Sequence, residues 1–219
     1  MAFSAAREAT ASLAKLMSEE RAIAATARNL AGGDAIVERD QLVAVHAFLG
    51  KAVSGDPDFR FLPRPILRQT AVESLRSRQG FCGESARVAV LMLQALGIRA
   101  NRIYLIGERW NHVIVEHEWL DGNWYLFDAF PDPATAMTPE QLCSFGSEDP
   151  TTFPNVHDGN PWVDYYRWRP LLVRGISKSR PPAGYVRITE RPDAIRAGLR
   201  GLTAGGALAA AALVAGGSR

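Results

Sequence analysis

Residues 80–96 read GFCGESARVAVLMLQAL, a glycine-flanked cysteine followed by an almost unbroken apolar run. The run from Glu84 to Leu96 is apolar on nearly every helical face, which predicts a central, buried helix, and Gly97 is suited to end it. A thiol at a helix N-terminus lies near the positive end of the dipole and near free backbone N–H groups. Both features favour the thiolate, the nucleophilic form of cysteine. Cys82 is therefore the candidate nucleophile.

The segments that follow supply the two other groups that a cysteine nucleophile needs. His112 opens the alternating stretch HVIVEHEW, and Asp128 ends the next β-rich stretch, WYLFD. Cysteine, histidine and acid in this order are typical of a Cys-His-Asp triad. Cys143 has neither a glycine turn nor a helix start beside it, and His46 lies inside a predicted helix. We interpret both as packing residues.

Two histidines compete for the role of base. His112 and His117 are five positions apart, so they point to opposite faces of a regular strand. Asp121-Gly122 between two β-rich runs is a strong hairpin signal. The length of this hairpin loop therefore decides which histidine shares a face with the acid.

Two hairpin registers are open. A two-residue turn pairs Trp119 with Trp124, which places Asp128 on the face of the second histidine. A three-residue loop over residues 121–123 pairs Leu120 with Trp124, which places Asp128 on the face of the first histidine, His112. Three-residue loops that contain glycine are common, so the spacing by itself does not choose between them.

The order of elements predicts an α+β fold, with the nucleophile-bearing helix packed on an antiparallel sheet. Helices are predicted over residues 4–31, 41–53 and 66–78, ahead of the central one. We expect three regions: an N-terminal helical extension over residues 1–36, a catalytic core over 37–175, and a linker with an Ala/Gly-rich tail over 176–219.

Dense aromatic residues follow the sheet region in the stretch PWVDYYRWRP, residues 161–170. Trp162, Tyr165, Tyr166 and Trp168 allow two interpretations. They form the wall of a substrate cleft, or they belong to an outer strand that covers the core.

The C-terminal tail has no charge from residue 201 to residue 218. Its length approaches that of a membrane span, but a composition of mainly Ala and Gly gives it a weak drive to insert. Two interpretations stay open: a flexible tail, or membrane association through residues 199–219. If it spans, Arg196 and Arg200 keep the catalytic part cytoplasmic.

Composition and charge exclude several other classes of function. A formal net charge of +2, with Lys and Arg scattered along 219 residues, gives no nucleic-acid-binding surface. Cys and His lack zinc-ligand spacing, and we expect neither a metal nor a cofactor. The N-terminus lacks the apolar core of a secretory signal, so we expect a cytoplasmic protein with reduced thiols.

The segment from about Pro65 to Asp128 resembles the transglutaminase-like superfamily of papain-like cysteine enzymes. The resemblance rests on the following residues: Gly80-Phe81-Cys82-Gly83, Leu96-Gly97-Ile98 at the end of the apolar helix, His112 with Val115-Glu116, Asp121-Gly122, Trp124 and Asp128. In that family the cysteine begins the helix, the histidine opens the hairpin and the aspartate follows the tryptophan.

The resemblance implies a triad of Cys82, His112 and Asp128, and it leaves His117 out. It also implies attack on an amide or acyl carbonyl, an acyl-enzyme, and transfer of the acyl group to water or to an amine. A peptide or protein substrate is expected. The backbone N–H of Cys82 is the natural oxyanion donor, and Gln79 or Trp110 is a candidate for a further donor or substrate contact.

Two alternatives accompany this hypothesis. The arylamine N-acetyltransferases share a glycine–aromatic–cysteine pattern and a similar interval from histidine to aspartate. Gln79 stands where that family usually has another glycine, and this chain is shorter than those enzymes. The other alternative is a non-catalytic binding or scaffold protein that keeps the same fold.

Overall fold

The computed structural model describes residues 2–32, 44–45, 47–49, 52–53, 69–119, 121–130, 146–154, 160–168, 176–191, 198 and 201–202. The helices are α1 (Ala2–Leu30), α2 (Ala71–Ser77), α3 (Cys82–Ala95) and α4 (Ala183–Thr189). The strands are β1 (Ala100–Gly107), β2 (Asn111–Glu118), β3 (Trp124–Phe127) and β4 (Trp162–Tyr166), and a 3-10 turn spans Pro150–Thr152. The helix predicted over residues 41–53 has helical residues at 44–45, 47–49 and 52, whereas His46 lies outside the described residues.

The strands form one antiparallel sheet in the order β3-β2-β1-β4. One hydrophobic cluster lies between α3 and the sheet and includes Val88, Leu93, Val115 and Phe127. A second cluster covers the opposite face, and its members are Ile103, Leu105, Ile114, Leu126, Phe153 and Trp162. The predicted α+β architecture, with the cysteine-bearing helix on an antiparallel sheet, is confirmed.

Helix α3 begins at Cys82, two residues before the start that the apolar pattern predicts. Phe81 is extended at φ −124° and ψ −171°, and the Glu84 carboxylate accepts its N–H at 3.2 Å. Gly80 packs so closely on the first turn that a Cβ added to it would lie 2.7 Å from the Cβ of Glu84. The glycine before the cysteine therefore lets the chain fold tightly onto the helix.

Helix α2 begins later than the sequence predicts, at Ala71 instead of Ile66. The Thr70 hydroxyl accepts the Glu73 N–H at 3.2 Å, and the Glu73 carboxylate accepts the Thr70 N–H at 2.9 Å. This reciprocal capping box defines the helix start. Residues 66–68 lie outside the described residues.

The β2–β3 hairpin adopts neither of the two registers considered from the sequence. Glu118 pairs with Trp124, and the Trp119 N–H donates to the Asn123 carbonyl at 2.8 Å. The Gly122 N–H donates to the Trp119 carbonyl at 2.9 Å, and Gly122 has the left-handed φ of +78° that glycine adopts readily. The three-residue alternative placed this glycine in the middle of the loop, where the left-handed conformation is not required.

The face of Asp128 nevertheless agrees with the three-residue alternative. The observed register differs from it by two residues, so the strand continues with Asp128 beside Ile114 instead of Glu116. A shift by two residues preserves the face, because side chains alternate along a strand. Asp128 therefore lies on the face of His112.

His117 lies on the other face of β2 and is packed among aromatic rings. The ring centroids of Trp119, Tyr125 and Phe127 lie 5.7–6.2 Å from its own. Its Nδ1 is buried and makes no hydrogen bond within the described structure. Burial lowers the pKa of His117 to about 4, and the hydrogen bond with the Glu118 backbone offsets this only in part. A neutral, packed imidazole is the result.

Strand β4 is an edge strand, which agrees with the outer-strand interpretation of the aromatic stretch. Trp162 is buried in the second cluster, and its Nε1–H donates to the Phe153 carbonyl at 2.9 Å. Trp168 is buried beyond the strand, with its ring 4.4 Å from that of Tyr185.

The segment from residue 176 to residue 191 packs on the core, although its composition predicts a linker. It contains α4, and Val186 joins the cluster under α3. The region boundaries at residues 36 and 175 stay predictions.

The described residues include no helix that is long and apolar enough to cross a membrane. Most of the 199–219 segment, for which membrane association was considered, lies outside the described residues, as does Cys143. The cytoplasmic location also stays a prediction.

Gly80→Ala tests the close packing at the start of α3. The added Cβ meets the backbone-anchored Cβ of Glu84, so we expect a loss of about 1–3 kcal/mol in unfolding free energy, or about 2–4 °C in Tm per kcal/mol. Thermal unfolding measures the loss. Gly146→Ala is the matched control, because a Cβ there meets nothing within 4 Å. Equal Tm values for the two variants would contradict the packing argument.

His117→Phe tests the buried imidazole through the pH dependence of stability. The unfolded chain takes up a proton near pH 6.5, whereas the folded chain does so only near pH 4. The unfolded state therefore binds more protons between these values, and stability falls as the pH drops. Urea unfolding at pH 7 and pH 5 should show the wild type losing about 2 kcal/mol more than the variant. Parallel pH profiles would show that His117 is not buried as a neutral group.

Candidate active site

The fold brings Cys82, His112 and Asp128 together. The His112 Nε2–H donates to Asp128 Oδ2 at 2.6 Å, and the imidazole also has a side-chain hydrogen bond with Cys82. Because Asp128 occupies Nε2, the nitrogen left for the sulfur is Nδ1. Cys82 is half-buried and is not in a disulfide, whereas His112 and Asp128 are buried. The sulfur therefore lies at the solvent side of a buried histidine–carboxylate pair.

The surroundings of His112 favour its protonated form. Burial by itself lowers the pKa of His112, but hydrogen bonds and negative charge from Asp128 and Cys82 outweigh burial and raise it to about 10. A histidine between a carboxylate and a thiolate is stabilised as imidazolium. The arrangement therefore favours a protonated His112 at neutral pH.

Asp128 is held in one orientation by its two oxygens. Oδ2 binds His112, and Oδ1 accepts the Phe130 N–H at 2.8 Å. The second bond is an Asx-type turn that follows directly from the end of β3. The aspartate can therefore orient the imidazole and fix which ring nitrogen faces the sulfur.

Two residues beyond the hairpin support His112. The Trp162 ring lies nearly parallel to the imidazole, with an interplanar angle of 11° and a centroid distance of 6.2 Å. Asn160 is buried and binds the β1–β2 turn just before the histidine. Its Oδ1 accepts the N–H groups of Arg109 at 2.7 Å and Trp110 at 3.1 Å, and its Nδ2 donates to the Trp110 carbonyl at 3.1 Å.

The first turn of α3 supplies the environment of Cys82. The Phe81 carbonyl accepts the N–H groups of Glu84 and Ser85, both at 3.0 Å. Within the described structure, no hydrogen bond uses the N–H of Cys82 or Gly83. These two groups at the positive end of the helix dipole can stabilise an anion near the sulfur.

Gln79 and Trp110, the candidates for a further oxyanion donor, are both exposed. Gln79 is exposed, and its backbone N–H donates to Ser77 Oγ at 3.2 Å. The Trp110 side chain is 65% exposed. Their roles stay predictions, as do the catalytic roles of the three central residues.

His117 does not belong to this cluster, in agreement with the resemblance. Its side chain lies on the face of β2 opposite to that of His112. Its depressed pKa and its aromatic neighbours are those of a packing residue.

A cavity of about 1040 Å³ lies away from the cluster. Its walls come from α1, the C-terminal end of α3, the start of β1 and the segment before and within α4. Neither the thiol, the imidazole nor the carboxylate of the cluster lines it. We assign the candidate site to the place with a nucleophile and a base, because cavity size alone supplies no chemistry.

The part of the chain that the structure describes has no group of three or more His, Cys, Asp or Glu side chains that could hold a metal ion. The expectation of a site without metal or cofactor stays a prediction.

Sequence reasoning did not identify Asn160 or the contact between Trp162 and His112. Asn160 lies in the loop-rich stretch HDGNP, where a turn-forming asparagine is ordinary. Trp162 was singled out as an aromatic residue, and either of its interpretations would be compatible with the ring contact. The ring contact places Trp162 beside the histidine, and hydrogen bonds place Asn160 on the turn before it.

Comparisons with known proteins give one family match and one solved structure. Residues 24–129 match the family model of the transglutaminase-like superfamily. A solved structure of a candidate cysteine protease from Cytophaga hutchinsonii aligns with a TM-score of 0.41 and 20% identity, over 50% of this chain and 37% of that one. This chain thus spans well under half of that protein. No curated protein matches the chain. Over residues 24–129, just under half of its length, this chain therefore matches the transglutaminase-like superfamily, as its sequence indicated.

Proposed function

We propose that this chain is a cysteine hydrolase or acyltransferase that uses Cys82, His112 and Asp128 on an amide or acyl substrate. The observation that carries the proposal is the contact series from Asp128 Oδ2 to His112 Nε2, at 2.6 Å, and from the imidazole to Cys82. The resemblance favours a peptide or protein as the substrate. The match of residues 24–129 to the transglutaminase-like superfamily supports this chemistry.

The first half of the reaction begins with the thiolate. Cys82 Sγ attacks the carbonyl carbon, and the carbonyl electron pair moves to oxygen to form an oxyanion. The N–H groups at the start of α3 are the natural donors to that oxyanion. When the intermediate collapses, the leaving amine takes the proton from His112, and a thioester on Cys82 remains.

The second half restores the ion pair. Neutral His112 takes a proton from water or from an acceptor amine, which attacks the thioester carbonyl. Collapse of this intermediate expels Cys82 as a thiolate and leaves His112 protonated. Attack by water gives a peptidase or amidase, and attack by an amine gives a transglutaminase-type transfer. Asp128 keeps the imidazole oriented throughout.

Alkylation of Cys82 tests the proposal without a known substrate. At pH 6, well below the reference thiol pKa of about 8.5, iodoacetamide should modify folded Cys82 at least about tenfold faster than the same residue in urea-unfolded chain. Peptide mapping separates Cys82 from Cys143. His112→Gln should remove the acceleration because the imidazolium partner is lost, and His117→Gln should keep it.

Equal rates for folded and unfolded Cys82 would contradict the enzyme proposal. A non-catalytic binding or scaffold protein would then be the better interpretation. Fast alkylation that survives His112→Gln would show that the imidazole does not activate the thiol.

The titration of His112 gives a second test. NMR of the imidazole should give a pKa near 10 in the wild type, so His112 stays protonated well above pH 6.5. Asp128→Asn removes one of the two anions that hold this proton, and the pKa should fall by about 1–3 units. The rate of substrate hydrolysis should fall above about pH 10, because His112 is then deprotonated and cannot act as the general acid. A wild-type pKa near 6.5 would refute the ion pair.

A further inference from the structure

A buried carboxylate from the C-terminal segment lies at the centre of a charge network. Glu190 Oε1 binds Arg102 through Nε at 2.8 Å and Nη2 at 2.7 Å. Glu190 Oε2 lies 3.7 Å from Nε of Arg87. All three side chains are at most 4% exposed. Glu190 lies 61 positions beyond the family-matched region, which ends at residue 129.

The network reaches the backbone beside the nucleophile. Arg102 extends from β1, and its Nη1 donates to the Gly83 carbonyl at 3.4 Å. Arg87 belongs to α3 itself, and its Nη1 donates to the Gln69 carbonyl at 2.5 Å, just ahead of α2. One carboxylate therefore links two guanidinium groups that contact the first turn of α3 and the segment leading to it.

The carboxylate is itself held in place by its own helix. The Glu190 N–H donates to the Val186 carbonyl at 3.0 Å at the end of α4, and Val186 is buried in the cluster under α3. The contact between the rings of Tyr185 and Trp168 ties α4 to the end of β4. The backbone hydrogen bond and the packing of α4 therefore restrain the position of Glu190.

The physical consequence of losing this charge is local. Arg87 and Arg102 would both lose the carboxylate that lies between them, and removing one partner from buried charges is strongly unfavourable. We expect the Arg102 side chain to turn toward water, which would break its hydrogen bond with the Gly83 carbonyl. The first turn of α3 carries Cys82, and an error of about 1 Å in such a group can cost about a hundredfold in rate.

We propose that Glu190 is a positioning residue for Cys82, acting through Arg102 and the Gly83 carbonyl. The inference rests on the proposed function, because it concerns the geometry of the same nucleophile. It makes the C-terminal segment, which the family model does not cover, a working part of the candidate site.

Glu190→Gln tests the proposal, with Glu116→Gln as the matched control. Glu116 is also fully buried and binds an arginine, Arg167, at 2.8 Å, but it lies on the opposite face of the sheet from α3. Both variants lose a buried carboxylate charge, so both should lower the Tm. Alkylation of Cys82 by iodoacetamide at pH 6 is measured below both transitions. We expect Glu190→Gln to slow it about tenfold and Glu116→Gln to change it less than twofold.

The NMR titration of His112 separates positioning from a general loss of stability. If Cys82 moves away, the imidazolium loses one of its two anionic partners, and His112 should titrate at a lower pH in Glu190→Gln. Asp128 stays in place, so the change should be smaller than in Asp128→Asn. A purely structural role for Glu190 would lower the Tm without moving this titration.

Equal alkylation rates for the two variants, or an unchanged His112 titration in Glu190→Gln, would overturn the inference. If Glu190→Gln does not fold, Arg102→Lys decides. This variant keeps a cation beside Glu190 but lacks the planar guanidinium that reaches both Glu190 and the Gly83 carbonyl. Slowed alkylation of Cys82 in this variant supports the proposal, and a wild-type rate refutes it. If wild-type Cys82 reacts no faster than unfolded chain, the proposed function fails and this inference falls with it.

Discussion

The register of the β2–β3 hairpin is the constraint on which the candidate site depends. His112 is the second residue of β2 and Asp128 directly follows β3, so their 2.6 Å contact exists only when both lie on one face of the sheet. A slip of one residue would move Asp128 to the face of His117. Gly122 at φ +78° and the bond from the Trp119 N–H to the Asn123 carbonyl hold the register. A five-residue turn region thus determines which histidine can act as a base.

The two histidines of β2 show how different neighbours shift the pKa of a buried imidazole in opposite directions. Both are almost inaccessible to water, and burial lowers the pKa of each. The described neighbours of the His117 ring are aromatic, so desolvation prevails and the pKa of His117 falls to about 4. Around His112 there are a carboxylate and a thiol, and their hydrogen bonds and charges raise the pKa to about 10. A buried histidine therefore keeps a proton at neutral pH only where nearby anions offset its desolvation.

The candidate site draws on segments well beyond the region that resembles the family. Asn160 fixes the turn before His112, Trp162 lies against the imidazole, and Glu190 reaches the start of α3 through Arg102. These contacts share a physical logic. The candidate nucleophile and the candidate base lie at the ends of their elements, where the helix and strand hydrogen bonds stop, and side chains from later segments supply further restraints.

The central helix, the hairpin, and the order of cysteine, histidine and acid were predictable from the amino-acid sequence, because apolar periodicity, Asp-Gly turns and glycine-flanked cysteines are local signals. It could not determine the hairpin register, since loops of different length fit the same residues and only the packing of both sheet faces selects one. It also predicted a linker at the start of the 176–219 region, where the structure has α4 and the buried Glu190. Glu190 lies 88 positions from Arg102 and 103 positions from Arg87, and no local pattern in the sequence predicts that their side chains are in contact. Only tertiary structure decides such contacts, because a buried charge is stable only where the fold brings its counter-charge to it.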